Sequence, residues 1–139
     1  MRNQAAPQHP GHPPLRVLIV EDEAMISLLI ENMVRDLGHE TAACVYSVGE
    51  ALSVVDEKRG GIDVAMLDVN LGGCLVYPVA EALSERGIPF AFLTGYGLAG
   101  VPARYAGAPI MQKPVSEHDV AFALERLRTE CSRRREGDG

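Results

Sequence analysis

The sequence predicts an α/β protein in which five strands form one doubly wound parallel sheet. Short apolar runs alternate along the chain with segments whose apolar residues recur at helical spacing. The runs lack polar alternation, and a continuous apolar strand is typical of a parallel sheet covered on both faces. Strands that alternate with helices in one sheet require right-handed crossovers, which makes neighbouring strands parallel.

The five predicted strands are short and consist mainly of apolar residues, several of them β-branched. In chain order they are residues 15–20, 41–45, 63–67, 88–93 and 109–112. The segment before the last strand, residues 95–108, is poorly specified, because four glycines and Pro102 leave room for only a short or distorted helix around residues 102–106. We expect low local stability there.

The four predicted helices show apolar residues at helical spacing, and glycines follow the first three. They are residues 24–37, 48–58, 76–85 and 116–131. Ser116, with Asp119 three residues later, resembles a capping box at the start of the last helix. The predicted core stripes are Ile26, Leu29, Ile30, Met33, Val34 and Leu37 in the first helix, and Val120, Ala123, Leu124 and Leu127 in the last.

One domain, residues 15–131, is expected between two tails. Residues 1–14 are polar, with four prolines, and are expected to be disordered. His9 and His12 could bind a stray metal ion, but a flexible leader is the preferred interpretation. Residues 132–139, with three consecutive arginines, are expected to form a flexible, solvated end.

Charge and cysteine content exclude several classes of function. Each tail carries a net charge of +1 within a total of −6, so the segment between them carries −8. An acidic body opposes direct nucleic-acid binding, which depends on basic residues that neutralise phosphates, and suits a divalent cation or a basic or helical protein partner. Cys44, Cys74 and Cys131 lack paired spacing and are expected to be free thiols, with Cys44 buried. No apolar run is long enough to span a membrane and no secretory signal is recognisable, so a cytoplasmic location is expected.

Reactive side chains follow four of the predicted strands. Glu21-Asp22-Glu23 comes after the first strand, Asp68 after the third, Thr94 after the fourth and Lys113-Pro114 after the fifth. Because parallel strands end at the same edge of a sheet, these groups are expected to meet in the crevice where open α/β folds bind ligands.

This ordered set of strand ends resembles the receiver domain of bacterial response regulators over nearly all of residues 15–131. Residues 92–96, Phe-Leu-Thr-Gly-Tyr, are similar to the signature of the single-domain FATGUY group, and residues 70–73 and 77–80 fit the same group. The resemblance implies the flavodoxin-like, or CheY-like, (βα)5 fold with strand order 2-1-3-4-5.

The resemblance also implies a chemistry. Asp68 matches the carboxylate that attacks a phosphohistidine and becomes an acyl phosphate. Oxyanions that meet in one crevice repel one another, so a hard divalent cation with oxygen ligands has to bridge them. By resemblance, Asp22, Asp68 and the backbone carbonyl of Asn70 bind Mg²⁺ directly and Glu21 binds it through water, whereas Glu23 begins the first helix.

Two further residues complete the implied site. The Lys113 ammonium would hold a phosphoryl oxygen, and the Thr94 hydroxyl would turn toward the new phosphoryl group. The bond between Lys113 and Pro114 is cis in the family.

The sequence departs from the wider family at the output switch. Most receivers have an aromatic residue three positions before the lysine, but Ile110 stands there. Tyr96 takes part in the switch or shields the acyl phosphate from water; these two interpretations stay open. Another possible mechanism is ordering of the 95–108 segment upon phosphorylation.

The predicted function is that of a stand-alone response regulator without catalysis beyond its own aspartyl phosphorylation and dephosphorylation. A sensor histidine kinase or histidine phosphotransfer protein would donate the phosphoryl group, and the output would be protein contacts or a phosphate sink. Apolar surface on the first helix either docks on a kinase, with Ala24 and Met25 as contacts, or is buried in the fold. The alternative function is a metal-dependent aspartyl phosphohydrolase, which needs an acid where Asn70 stands; a nucleotide-binding module lacks its glycine-rich motif.

Overall fold

The predicted five-stranded parallel sheet is confirmed. A computed structural model describes residues 13–95 and 101–138, with side chains described up to Ser132. In chain order the strands are β1 (Arg16–Val20), β2 (Glu40–Val45), β3 (Val64–Asp68), β4 (Asn70–Leu71), β5 (Cys74–Leu75), β6 (Phe90–Thr94) and β7 (Ile110–Gln112). The main sheet has the order β2-β1-β3-β6-β7, which is the predicted order 2-1-3-4-5 with the separate hairpin β4-β5 left out. All its strand pairs are parallel.

Within the described residues, three helices and one short 3-10 turn lie between strands of the main sheet, and a fourth helix follows the last strand. They are α1 (Ala24–Asp36), α2 (Val48–Glu57), α3 (Tyr77–Glu85), the 3-10 turn Ala103–Tyr105 and α4 (Glu117–Asp138). The 3-10 turn lies where the sequence predicted a short or distorted helix. Among the described residues, no helix is long and apolar enough to cross a membrane.

The predicted end of the last helix at Cys131 is wrong. Helix α4 runs on to Asp138 through the arginine-rich segment. Arginine and glutamate are good helix formers. The flexibility expected of residues 132–139 stays a prediction.

Each central strand packs on both sides, which explains its continuous apolar run. Val17 and Ile19 of β1 belong to a core with α1 and α4, whereas Leu18 and Val20 belong to a core with α2 and α3. The same alternation holds for Val64 and Ala65 at the start of β3. Helices therefore cover both faces and leave the ends of the strands as the open edges of the sheet.

Two burial predictions need correction. Leu29, assigned to the core stripe of α1, is 50% exposed, and Ser27 is buried beside Ile30 and Val34 instead. Cys44, predicted to be buried, is only partly so. Cys44 lies on β2, an edge strand of the sheet, and the exposed edge explains its partial exposure.

The predicted capping box of the last helix is confirmed. Ser116 Oγ accepts a hydrogen bond from Asp119 N at 3.1 Å, and Asp119 Oδ2 accepts one from Ser116 N at 3.0 Å. These bonds satisfy two of the N–H groups that a helix start leaves unpaired. They fix the beginning of α4 only a few residues after Lys113.

Candidate functional site

The sheet brings the predicted strand ends together at one edge. Asp68 is the last residue of β3 and pairs with Leu93, so it lies beside the end of β6. Thr94 ends β6, and its backbone oxygen accepts a hydrogen bond from Lys113 N at 2.9 Å. These three residues border a crevice of about 660 Å³, which is also lined by Asp22, Glu23, Val69, Asn70, Gly72, Gly73, Leu75, Tyr77 and Gly95.

Three acidic residues form a cluster at this edge. Glu21, Asp22 and Asp68 each offer one carboxylate oxygen, and these oxygens lie within 4.8 Å of one another. Glu21 and Asp68 are buried, whereas Asp22 is exposed to the crevice. Clustered carboxylate oxygens are the hard ligands that Mg²⁺ prefers, so the residues present fit the predicted cation.

Lys113 opposes the acidic cluster. Its Nζ lies 3.0 Å from Glu21 Oε1 and 3.0 Å from Asp68 Oδ2. Burial lowers the pKa of Lys113, but the hydrogen bonds and charges of Asp68 and Glu21 outweigh it, so the net shift of the pKa is upward. The lysine is therefore a fixed positive charge at neutral pH.

Burial raises the pKa of the two inner carboxylates, Glu21 and Asp68, above that of an exposed acid. Desolvation raises the pKa of Glu21 to about 7, although the Glu23 backbone N–H and Lys113 pull it down. Desolvation also raises the pKa of Asp68 against the opposing effect of Lys113 and of the Asn70 N–H. The cluster holds more negative charge than its single ammonium balances, which favours an added cation.

A small hairpin that the sequence analysis missed forms one wall of the crevice. Strands β4 and β5 pair Asn70 with Leu75 and are joined by Gly72 and Gly73, whose φ angles are 62° and 98°. Two successive positive φ values are those of a type I′ turn. The Gly72-Gly73 dipeptide was the available signal, because two glycines between apolar residues are typical of such a turn.

Asn70 ties this hairpin to the acidic cluster. Its backbone N–H donates to Asp68 Oδ1 at 3.2 Å, and its side-chain Oδ1 accepts a hydrogen bond from Gly73 N at 2.7 Å. Leu75 and Tyr77, which the sequence analysis did not assign to the site, complete this wall.

The remaining predicted residues have different positions. The bond between Lys113 and Pro114 is cis, as the resemblance implied. Ile110 pairs with Phe92 and packs in the core instead of lining the crevice. Tyr96 lies outside the described residues, and so do residues 1–12.

A buried aromatic ring lies in the 3-10 turn between β6 and β7. Tyr105, in the 3-10 turn, is buried and stacks on Tyr77 with ring centroids 5.9 Å apart. Its ring also lies edge-on to Phe90 at 5.7 Å and Phe92 at 5.7 Å. The Tyr105 side chain thus anchors the turn between β6 and β7 to the core, against which Val101 and Ala108 also pack.

A flavodoxin-order parallel sheet with clustered acids, a hydroxyl and a lysine at one edge defines a receiver domain, and the chain belongs to the response regulator receiver family. SdrG from Sphingomonas melonis Fr1 is 43% identical, with a TM-score of 0.72 over 82% of this chain and 96% of that one. The receiver domain of PhyR from Erythrobacter litoralis is 26% identical, with a TM-score of 0.70 over 84% and 92%.

Longer regulators share part of their sequence with this chain. The transcriptional regulatory protein PdtaR of Mycobacterium tuberculosis is 31% identical over 118 residues, which are 81% of this chain and 56% of that protein. The phyllosphere-induced regulator PhyR of Methylorubrum extorquens is 31% identical over 81 residues, or 58% of this chain and 30% of that protein. The chain thus spans less than two thirds of either. No family model matches it.

Proposed function

We propose that the chain is a stand-alone response regulator whose Asp68 accepts a phosphoryl group from a sensor histidine kinase or a histidine phosphotransfer protein. The observation that carries the proposal is the position of Asp68, whose carboxylate clusters with those of Glu21 and Asp22 and lies 3.0 Å from the Lys113 ammonium. A nucleophilic carboxylate beside a cation site and a fixed positive charge is suited to attack phosphorus.

The transfer exchanges one bond to phosphorus for another. An oxygen of Asp68 forms a bond to phosphorus while the bond from phosphorus to the donor imidazole nitrogen breaks, and the nitrogen leaves with the electron pair. Lys113 moves its ammonium contact from Asp68 to a phosphoryl oxygen, and the Thr94 hydroxyl hydrogen-bonds to the same group. Asp68 needs no proton removed, because a carboxylate is already a nucleophile.

The cation is assigned to residues that fit it. Asp22, Asp68 and the Asn70 backbone carbonyl would hold Mg²⁺ directly, and Glu21 would act through water. The bound ion would neutralise the carboxylates and the incoming phosphoryl oxygens. Asn70 orients this set, because its own N–H holds Asp68 Oδ1.

The output is proposed to be a protein contact or the removal of phosphate from a kinase. Phosphorylation would draw Thr94 and Lys113 together and act on the segment between them, with Ile110 in place of the usual aromatic switch. Catalysis is proposed to extend no further than the formation and loss of the aspartyl phosphate.

Phosphotransfer profiling tests the proposal. The purified chain is mixed with the ³²P-labelled kinases of its host, with and without Mg²⁺. We expect at least one kinase to label the wild type in a Mg²⁺-dependent manner and to leave Asp68→Asn unlabelled. Labelling of Asp68→Asn at the wild-type rate would remove Asp68 from the role.

Beryllofluoride gives a second readout that needs no kinase. SdrG adopts a beryllofluoride-activated conformation, and a similar response of this chain would shift amide resonances around residues 68–74 and 94–113. The Asp68→Asn variant, which cannot form the aspartyl adduct, is the matched control. Unchanged spectra at millimolar Mg²⁺ and saturating beryllofluoride would count against the site.

A further inference from the structure

Tyr77 borders the acidic crevice and also packs into the fold. It is the first residue of α3 and lines the crevice together with Asp68, Thr94 and Lys113. Its ring lies edge-on to that of Phe92 in β6, with the ring centroids 5.8 Å apart. Because packed interiors transmit strain, a side chain in both places can pass a change in the crevice on to the core.

The start of α3 holds the Tyr77 backbone close to the end of β3. Val76, which precedes Tyr77, donates a backbone hydrogen bond to the Val69 oxygen at 3.0 Å, and Val69 directly follows Asp68. Val76 is fully buried, and so is Val79 in the first turn of α3. The backbone position of Tyr77 is therefore fixed by α3 and by the end of β3.

The ring of Tyr77 stacks on that of Tyr105, which lies in the 3-10 turn between β6 and β7. The two rings are nearly parallel, with an interplanar angle of 15° and centroids 5.9 Å apart. Tyr105 is buried, and Cζ of Arg104 lies 4.7 Å from the centroid of its ring. This pair of rings, the tyrosine stack, joins the crevice wall to residues 101–108.

The segment that carries Tyr105 is held together mainly by its own backbone. Residues 102–108 form three backbone hydrogen bonds among themselves, each 3.0 Å long. A bond of 3.3 Å from Arg126 Nη2 to the Gly107 oxygen and the packing of Val101 and Ala108 against the core add contacts outside the segment. The segment can thus shift as a unit, and the tyrosine stack is its contact with the crevice wall.

The residues on either side of this segment are proposed to hold the phosphoryl group. Thr94 precedes it at the end of β6, and Lys113 follows it directly after β7. When phosphorylation of Asp68 draws Thr94 and Lys113 toward the phosphoryl group, the segment between them has to move, whereas Tyr77 stays with α3. Such a movement weakens the contact between the two rings.

We propose that the tyrosine stack holds residues 101–108 in their phosphate-free position and that phosphorylation of Asp68 loosens it. The coupling rests on the proposed function, since it requires a phosphoryl group on Asp68. It connects the crevice with the surface around Arg104 although Ile110 stands in place of an aromatic switch residue. Coupling between two sites is reciprocal, so loss of the stack should favour the phosphorylated form.

Beryllofluoride binding to variants of both rings tests the coupling, with the amide shifts of residues 68–74 at fixed Mg²⁺ as the measure of binding. Tyr77→Leu and Tyr105→Leu each remove the stack, so each should lower the half-saturating beryllofluoride concentration about fivefold or more, the lower end of typical coupling between sites. The double variant should bind no more tightly than either single variant, because both substitutions remove the same contact. In the free Tyr77→Leu protein, the resonances of residues 101–108 should lie toward their positions in the beryllofluoride-bound wild type.

Two control variants separate the stack from other effects. Tyr77→Phe keeps the ring and should bind beryllofluoride like the wild type. Val79→Ala removes buried volume from the same helix and the same core but does not line the crevice, so it should also bind like the wild type. Tighter binding in either control would overturn the proposal, because the hydroxyl or general loosening of the core would then be responsible.

The same titrations distinguish the coupling from the proposed function. A wild type whose residues 68–74 do not respond to beryllofluoride would contradict both. A normal response in the wild type that Tyr77→Leu and Tyr105→Leu leave unchanged would contradict the coupling alone.

Discussion

Lys113 Nζ lies 3.0 Å from Asp68 Oδ2, while the other oxygen of the same carboxylate accepts the Asn70 N–H at 3.2 Å. Both oxygens of the proposed nucleophile are thus engaged by donors. A phosphoryl group that binds Asp68 has to take over the Lys113 contact, so the lysine would respond to formation of the aspartyl phosphate. Because Lys113 also contacts Glu21, it competes with a cation for both carboxylates. Its position would link phosphorylation of Asp68 to the end of β7, which Lys113 directly follows.

Replacement of Lys113 by alanine should separate cation binding from signalling. The ammonium competes with Mg²⁺ for Glu21 and Asp68, so its loss should tighten Mg²⁺ binding by on the order of tenfold, the effect of about 1.4 kcal/mol. The beryllofluoride-induced shifts beyond the crevice, around residues 101–110, should be lost. Titration calorimetry measures the first effect and amide spectra the second.

Lys58→Ala is the matched control, because Lys58 is the other lysine of the chain and is exposed at the end of α2. It should change neither Mg²⁺ affinity nor the spectral response. Weaker Mg²⁺ binding in Lys113→Ala would show that the lysine organises the carboxylates instead of competing for them.

Glu21 should make the stability of the metal-free protein depend on pH. Its pKa is raised from 4.5 to about 7 in the folded state, so the folded chain binds this proton more tightly than the unfolded chain does. The free energy of unfolding should therefore fall as pH rises from about 4.5 to about 7 and level off above that range. A shift of this size corresponds to at most about 3.4 kcal/mol.

Glu21→Gln should remove most of this pH dependence and raise the free energy of unfolding at pH 8. Urea unfolding at pH 5 and pH 8, with a chelator present, measures the slope. Asp56→Asn, which changes an exposed acid on α2, is the control and should keep the wild-type slope. An unaltered slope in Glu21→Gln would assign the pH dependence to other groups.

The fold and the reactive strand ends could be predicted because they depend on local pattern. A fully buried strand such as β3 is apolar on both faces, so its continuous run of apolar residues locates it and the polar residue after it, Asp68, locates its end. Parallel pairing then places Asp68, Thr94 and Lys113 at the same edge without any knowledge of their contacts. The alternation of strands and helices thus determined which residues meet.

Features that depend on tertiary packing were not predictable in this way. Leu29 fits the apolar spacing of α1, but the rotation of the helix on the sheet leaves it half exposed and buries Ser27. The burial of Tyr105 depends on the path of a turn rather than on periodicity, and its contacts with Tyr77 join segments far apart in sequence. Tyr96 lies outside the described residues, so its role in the switch or as a shield of the acyl phosphate stays a prediction.

Alanine at two glycines should have opposite effects on stability. Gly72 has a φ of 62°, so Gly72→Ala should lower the free energy of unfolding by about 1–2 kcal/mol. Its added Cβ would lie 3.7 Å from Asp22 Oδ2, an ordinary contact, so the cost is in the backbone. Gly49, in the first turn of α2, has open space around it, and Gly49→Ala should raise the free energy by about 0.5 kcal/mol.

Urea unfolding of both glycine variants measures these changes, and Mg²⁺ titration adds a functional readout. Gly72→Ala should weaken Mg²⁺ binding, because the hairpin that it strains contains Asn70. Gly49→Ala should bind Mg²⁺ like the wild type. Equal stabilities of the two variants would show that the turn does not require a positive φ at residue 72.

Met25 should contribute to recognition of the kinase without contributing to the chemistry. It lies three residues after Asp22 and is 83% exposed, and Leu29 continues the apolar surface one turn along α1. Burial of one methionine stabilises a complex by about 1.5–3 kcal/mol. Met25→Asp should therefore slow phosphotransfer from the cognate kinase by about tenfold or more at subsaturating concentration.

Phosphorylation by a small phosphodonor separates docking from chemistry in this experiment. Met25→Asp should react with acetyl phosphate at the wild-type rate, because Met25 does not line the acidic crevice. Leu52→Asp places the same charge on an exposed apolar position of α2 and should leave both rates unchanged. If Met25→Asp slowed both reactions equally, the substitution would be acting on Asp22 and the cation site, and the kinase would have to dock elsewhere.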